Sequence, residues 1–162
     1  MLESLHDFVS GLPVVIQGLG VALISAIPFV ESYFGSVVGV VAGLPPVVAI
    51  TAAVIGNVAS MLAFVMSAHG VRTKVMAGRA SAEAPEPEES GRRQKLRRAF
   101  DRYGVAGVSL LGQTILPSQI TSAAMVSFGA NRNAVILWQT ISILLWGTAF
   151  GVLAALGVSF LG

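Results

Sequence analysis

Residues 28–68 read PFVESYFGSVVGVVAGLPPVVAITAAVIGNVASMLAFVMSA, and the way this stretch divides decides the fold. Glu31 is its only charged residue. The run is too long for one pass through a bilayer, which takes about 20 residues. Pro45-Pro46 stops any helix arriving from the N-terminal side, because proline lacks the N–H and clashes with the preceding turn. The stretch therefore predicts a half-length helix up to residue 44 and a full transmembrane helix over 46–68. Pro28, beside Glu31, marks an earlier break, so residues 12–44 read as a broken helical hairpin.

Working outward, the second half repeats the pattern without repeating the sequence. Residues 104–130 are apolar around a polar, proline-bearing centre: Gln113, Thr114, Pro117, Ser118, Gln119, Thr121 and Ser122. Residues 134–161 then form a second full span. Each half is an apolar run, a break at proline (Pro28, Pro117), a short apolar helix ending near glycine (Gly43, Gly129), and a long span. Paired interrupted segments in corresponding positions point to a transporter site. Irregular backbone at membrane depth is tolerated only where it faces protein or a wet cavity. The predicted fold class is an all-α integral membrane protein of two pseudo-symmetric halves, each a re-entrant or broken hairpin followed by a transmembrane helix, in one membrane domain over 1–162.

Composition points the same way. Only 11% of the 162 residues are charged and 54% are hydrophobic, against about 25% charged in ordinary globular chains. Of ten Lys and Arg residues, nine lie from Arg72 to Arg102, and the tenth is Arg132. Such concentration marks a cytoplasmic connection, predicted as a loop over 69–102 in a multi-pass protein of the cell membrane. Within it, 77–90 is acidic and proline-bearing and reads as a disordered linker. Beyond Ser90, Leu96, Phe100 and Tyr103 share one helical face, with Arg92, Arg93, Lys95, Arg97 and Arg98 elsewhere. That suits either a short interfacial helix touching anionic headgroups or a solvated charge run. Re-entrant hairpins would put Arg132 inside and both termini outside; four plain spans would reverse both. The residues before the first apolar run include no Lys or Arg, so no cleavable signal peptide is expected.

Glu31 is the only acid between Asp7 and Glu83. A carboxylate inside lipid costs at least a few kcal/mol and is by default a functional candidate; it suits exchange of a proton for a cation. The alternative is a helix cap or a group at headgroup level. Asn57 sits mid-span, either beside such a site or as interhelical glue worth about 1 kcal/mol. Gln113, Thr114, Ser118 and Gln119 complete the proton- or substrate-binding set, with a Ser/Thr-rich packing seam as the alternative. Gly35, Gly39 and Gly43 recur every four residues, the small-residue spacing of close helix crossings within the chain or across a homodimer, and Gly56 would let another helix approach closely. Cysteine is absent and the two histidines have no ligand spacing, so neither a metal nor another cofactor is expected. No triad, phosphate loop or carboxylate pair suggests an enzyme, and nothing suggests nucleic-acid binding.

Ile27-Pro28-Phe29-Val30-Glu31 resembles the Pro-x-x-Glu signature of the small multidrug export protein family, distant relatives of the DedA (VTT) membrane proteins. Gly43-Leu44-Pro45-Pro46, Gly56-Asn57, Tyr103-Gly104 and the hairpin around Pro117 match in placement, over most of residues 20–155. The chain departs in having Tyr33 where an arginine often stands and no arginine in the second hairpin. The resemblance implies two opposed re-entrant hairpins meeting near the midplane. Three functions follow as expectations. One is proton-coupled export of lipophilic or cationic compounds, with Glu31 as the exchanging group. A second is translocation of phospholipid or polyprenyl phosphate. A third is a scaffold that transports nothing. The expected partners are the lipid bilayer, protons, and a hydrophobic small molecule or lipid.

Overall fold

The computed structural model describes residues 2–79, 91–112 and 115–161. Seven helices account for them: α1 (Leu2–Ser10), α2 (Val14–Ser25), α3 (Glu31–Val41), α4 (Pro46–Arg79), α5 (Gly91–Gly112), α6 (Ser118–Phe128) and α7 (Arg132–Leu161). Among the described residues there is no strand. Two helices, Pro46–Lys74 and Arg132–Phe160 within α4 and α7, are long and apolar enough to cross a membrane.

The prolines act where the sequence puts them. Pro46 opens α4, where its missing N–H costs nothing. Pro117 precedes α6 with φ −54° and ψ 141°, outside the helical region. Pro28 lies in the 26–30 break between α2 and α3. The break is tightly wound, with the N–H groups of Val30 and Glu31 both donating to the Ile27 carbonyl, at 3.1 and 3.2 Å. Phe29 within it has φ 73° and Glu31 directly after it has φ 54°, left-handed conformations that cost a side-chain-bearing residue about 1–2 kcal/mol each.

Both short helices end in the same way. After α3, Gly43 takes φ 92°, its N–H donating to Val40 O and that of Leu44 to Gly39 O, each at 3.0 Å. After α6, Gly129 takes φ 107°, with Gly129 N–H to Val126 O at 3.1 Å and Ala130 N–H to Met125 O at 3.0 Å. These are Schellman closures, in which glycine supplies the left-handed residue. Gly43, expected as a packing glycine, is instead a cap: a Cβ there would meet nothing within 4 Å. The long helix then restarts at once. α4 does so at Pro46, and α7 through Asn131, whose Oδ1 accepts from the N–H groups of Asn133 and Ala134 at 2.9 and 3.2 Å.

Three boundaries differ from the sequence reading. α1 has no counterpart there; it packs on α2 and α3 and buries Val9 completely. α4 runs on past Ala68 to Arg79, because nothing from His69 to Arg79 breaks a helix and polarity alone does not end one. The basic segment is helical from Gly91. It turns at Gly104, whose φ of 66° interrupts α5 and leaves one helical piece over 91–103 and another over 105–112. The linker proposed for 77–90 falls, from 80 onward, outside the described residues.

The chain forms two compact units, Met1–Met61 with Thr140–Gly162, and Leu62–Gln139. Each contains one helix–break–helix hairpin: α2 packs on α3 in the first and α5 on α6 in the second. In the first unit Val21, Ile24, Val38, Ala49 and Ala53 belong to the core. Many large apolar side chains are nevertheless exposed, among them Val15 (94%), Val47 (75%) and Leu153 (63%).

Candidate functional site

Close helix crossings set the level of every group in the first unit. A Cβ at Gly39 would lie 3.0 Å from Val21 and 2.8 Å from Ala49, and one at Gly35 would run into Ser25 and reach Ala53 at 3.4 Å. Moving four residues back along α3 thus moves four residues forward along α2 and α4, so both run antiparallel to it. One more step of the same register brings Glu31 level with Asn57. Gly56 extends the crossing, since a Cβ there would overlap the Ala22 carbonyl of α2. α7 lies along α3 in the same direction: Ser32 Cβ is 3.0 Å from where a Gly147 Cβ would be, and Ser36 Cβ 3.2 Å from that of Gly151.

Along these crossings the polar side chains are enclosed. Glu31, Ser25, Ser32, Ser36, Asn57 and Ser142 all have 0% exposure. Ser32 Oγ donates to the Ile143 carbonyl at 2.9 Å, tying the start of α3 to α7. Ser60 Oγ donates to the Ala26 carbonyl at 2.8 Å, satisfying an acceptor that the hairpin break releases. Glu31 therefore sits fully enclosed at the first position of α3, in a left-handed residue. The positive dipole end of α3 favours a negative charge there. A carboxyl group in that setting can bind and release a proton.

The second unit has its own enclosed polar set. Ser118, Gln119, Thr121, Ser122 and Ser109 have 0% exposure and Gln139 has 1%. Gln139 Nε2 donates to the Ser118 carbonyl at 3.3 Å, and Ser122 Oγ donates to the Gln119 carbonyl at 3.0 Å. Among the described residues Thr121 Oγ1 and Gln139 Oε1 are buried with no hydrogen-bond partner, which leaves capacity for water or a polar ligand. Pro117 places Ser118, Gln119, Thr121 and Ser122 in the first turns of α6. Gln113 and Thr114 lie outside the described residues.

Glu31 and Asn57 thus belong to the first unit, and Ser118 and Gln119 to the second. Several enclosed groups were missed from sequence. Gln139 carries the same signal as Asn57, a carboxamide inside an apolar span. Ser25, Ser32 and Ser36 carry almost none, because serine is unremarkable in short helices until burial is known. Gly35, Gly39 and Gly56 stand at helix crossings.

The basic residues divide. Arg93 Nη2 donates to Ser127 Oγ at 3.1 Å, and its guanidinium stands 5.0 Å from the Phe128 ring, with that of Arg97 at 5.8 Å. Arg72 Nη1 donates to the Val126 carbonyl at 3.4 Å. Three cations therefore gather at the C-terminal end of α6, where its dipole is negative. Lys95 and Arg98 are exposed and available to anionic groups. The Arg92 side chain lies outside the described residues. Comparison with family models, with curated proteins and with solved structures finds no match to this chain.

Proposed function

We propose that the chain is a multi-pass membrane transporter that exports lipophilic cations in exchange for protons, with Glu31 binding the two in turn. The observation that carries this reading is the enclosure of Glu31, the one acidic residue between Asp7 and Glu83, at a strained helix break level with Asn57. Protein surfaces in water rarely expose apolar side chains so widely while enclosing so many polar ones; lipid as solvent accounts for both. α2 and α3, with 12 and 11 residues, are about 18 and 17 Å long, too short to cross a hydrocarbon core of about 30 Å. Re-entrant hairpins, with α4 and α7 as the spans, fit those lengths. Asn57 lies eleven residues into α4, about 17 Å from its start, so Glu31 falls near the bilayer midplane. A carboxylate at that depth is costly and is by default a functional group. By the distribution of Lys and Arg, the segment bearing Lys95 and Arg98 faces the cytoplasm.

The test uses purified protein in liposomes with an enclosed pH dye, with lipophilic cations added across a proton gradient. Wild type is expected to release protons on addition of substrate, and Glu31→Gln to lose at least 90% of that release while remaining monodisperse. Proton release that persists in Glu31→Gln removes the carboxylate from the mechanism. With no proton movement in either protein the exporter reading falls. The buried hydroxyls of α6 and the exposed Lys95 and Arg98 then favour translocation of an anionic lipid, measured as headgroup-dependent scrambling.

A further inference from the structure

α3 has a second feature at the end away from Glu31. α1 lies against it and against α2, anchored by Val9 and by Leu5 at the edge of the core. Between α1 and α3 runs a groove of about 320 Å³, bounded by Leu2, Val37, Val38 and Val41 and edged by Glu3, His6 and Asp7. Small-molecule sites begin at about 300 Å³ and are mostly apolar with a few placed polar groups, which describes this groove.

Its charge selects the occupant. Among the described residues Glu3 has no ion-pair partner, and Asp7 pairs with His6 alone, at 3.5 Å. No Lys or Arg occurs anywhere before Arg72, so among the described residues His6 is the one basic side chain at the edge, set against two acids. An amphipathic anion, including a lipid phosphate, would be repelled, and a second copy of the chain would bring the same acids. A neutral apolar molecule would gain the valine floor and nothing from the carboxylates. A lipophilic cation uses both, with its apolar body against Val37, Val38 and Val41 and its charge between Glu3 and Asp7.

We propose that the α1–α3 groove is a binding site for lipophilic cations, separate from Glu31 and about 9–15 Å from it along α3. The ligand class follows the transport reading, whereas binding in the groove does not require Glu31. Tetraphenylphosphonium binding to the full chain in nanodiscs of zwitterionic lipid, measured by equilibrium dialysis, tests the proposal. Wild type, Glu3→Gln/Asp7→Asn, Val41→Trp and Glu31→Gln are compared, with tetraphenylborate as the charge-reversed probe. Val41 is 53% exposed, so the larger ring fills the groove without disturbing the core.

Loss of both edge charges is expected to weaken tetraphenylphosphonium binding about fivefold. Val41→Trp is expected to abolish that component, Glu31→Gln to retain it, and tetraphenylborate to gain nothing from the acids. Wild-type affinity in both groove variants, or loss of the component in Glu31→Gln, overturns the site. Failure of transport with groove binding intact removes the exporter reading and leaves the groove. Intact transport with indifferent groove variants does the reverse.

Discussion

Glu31 and Asn57 show how little of a residue's role its identity carries. Both announce themselves in the sequence as polar groups in apolar runs, and each had an ordinary explanation, a cap or a hydrogen-bonding glue. Full enclosure excludes a Glu31 side chain extended into solvent, and the four-residue register of α3 against α4 makes the two neighbours in level. Asn57→Ala is therefore expected to reduce substrate-driven proton release several-fold while lowering stability by only about 1 kcal/mol; the liposome assay and thermal unfolding in detergent measure the two. Ser36, whose Oγ donates to Tyr33 O at 3.0 Å within its own helix, is the contrast, and Ser36→Ala is expected to leave transport unchanged. Equal losses in both variants would reduce Asn57 to packing.

At the scale of elements, the glycines do two different jobs that spacing alone does not separate. Gly56 lets α2 approach α4 until a methyl group would strike the Ala22 carbonyl. Gly43 has open space around it but a φ of 92°. Gly56→Ala should force two helices apart, at a cost of about 1–3 kcal/mol, and lower proton release because the register at Glu31 shifts. Gly43→Ala should cost about 1–2 kcal/mol of backbone strain and leave the register in place. Thermal unfolding combined with the liposome assay distinguishes them: similar stability losses, with activity lost only in Gly56→Ala. In the second unit, Phe128→Leu removes the ring beneath Arg93 and Arg97 and is expected to cost about 1 kcal/mol, read as a lower unfolding midpoint.

For the whole molecule, the question is which face of the bilayer each segment meets. The chain has no cysteine, so single cysteines report topology without background. With α2–α3 and α5–α6 re-entrant, cysteines at Lys95 and Asn133 should both react with an impermeant maleimide from the cytoplasmic side, and one at Ser10 from the other side. Four plain spans would place Asn133 opposite Lys95, and that labelling pattern would end the re-entrant reading. The short lengths of α2, α3 and α6, and the Schellman closure at Gly43 and again at Gly129, are the physical grounds for expecting the first pattern.

By itself the sequence determined that the chain is helical, where proline and glycine divide it, which two stretches are long and apolar enough to span, and that Glu31 stands alone. These follow from backbone chemistry and from the cost of charge in apolar surroundings, both local properties. Tertiary structure decided the rest. It added α1, whose short amphipathic pattern is indistinguishable from a polar leader until Val9 finds its core. It extended α4 to Arg79 and drew Arg72, Arg93 and Arg97 to the end of α6. It also enclosed Ser32, Ser36, Thr121 and Gln139, because burial depends on which faces meet, and that is settled by packing between segments far apart in the chain.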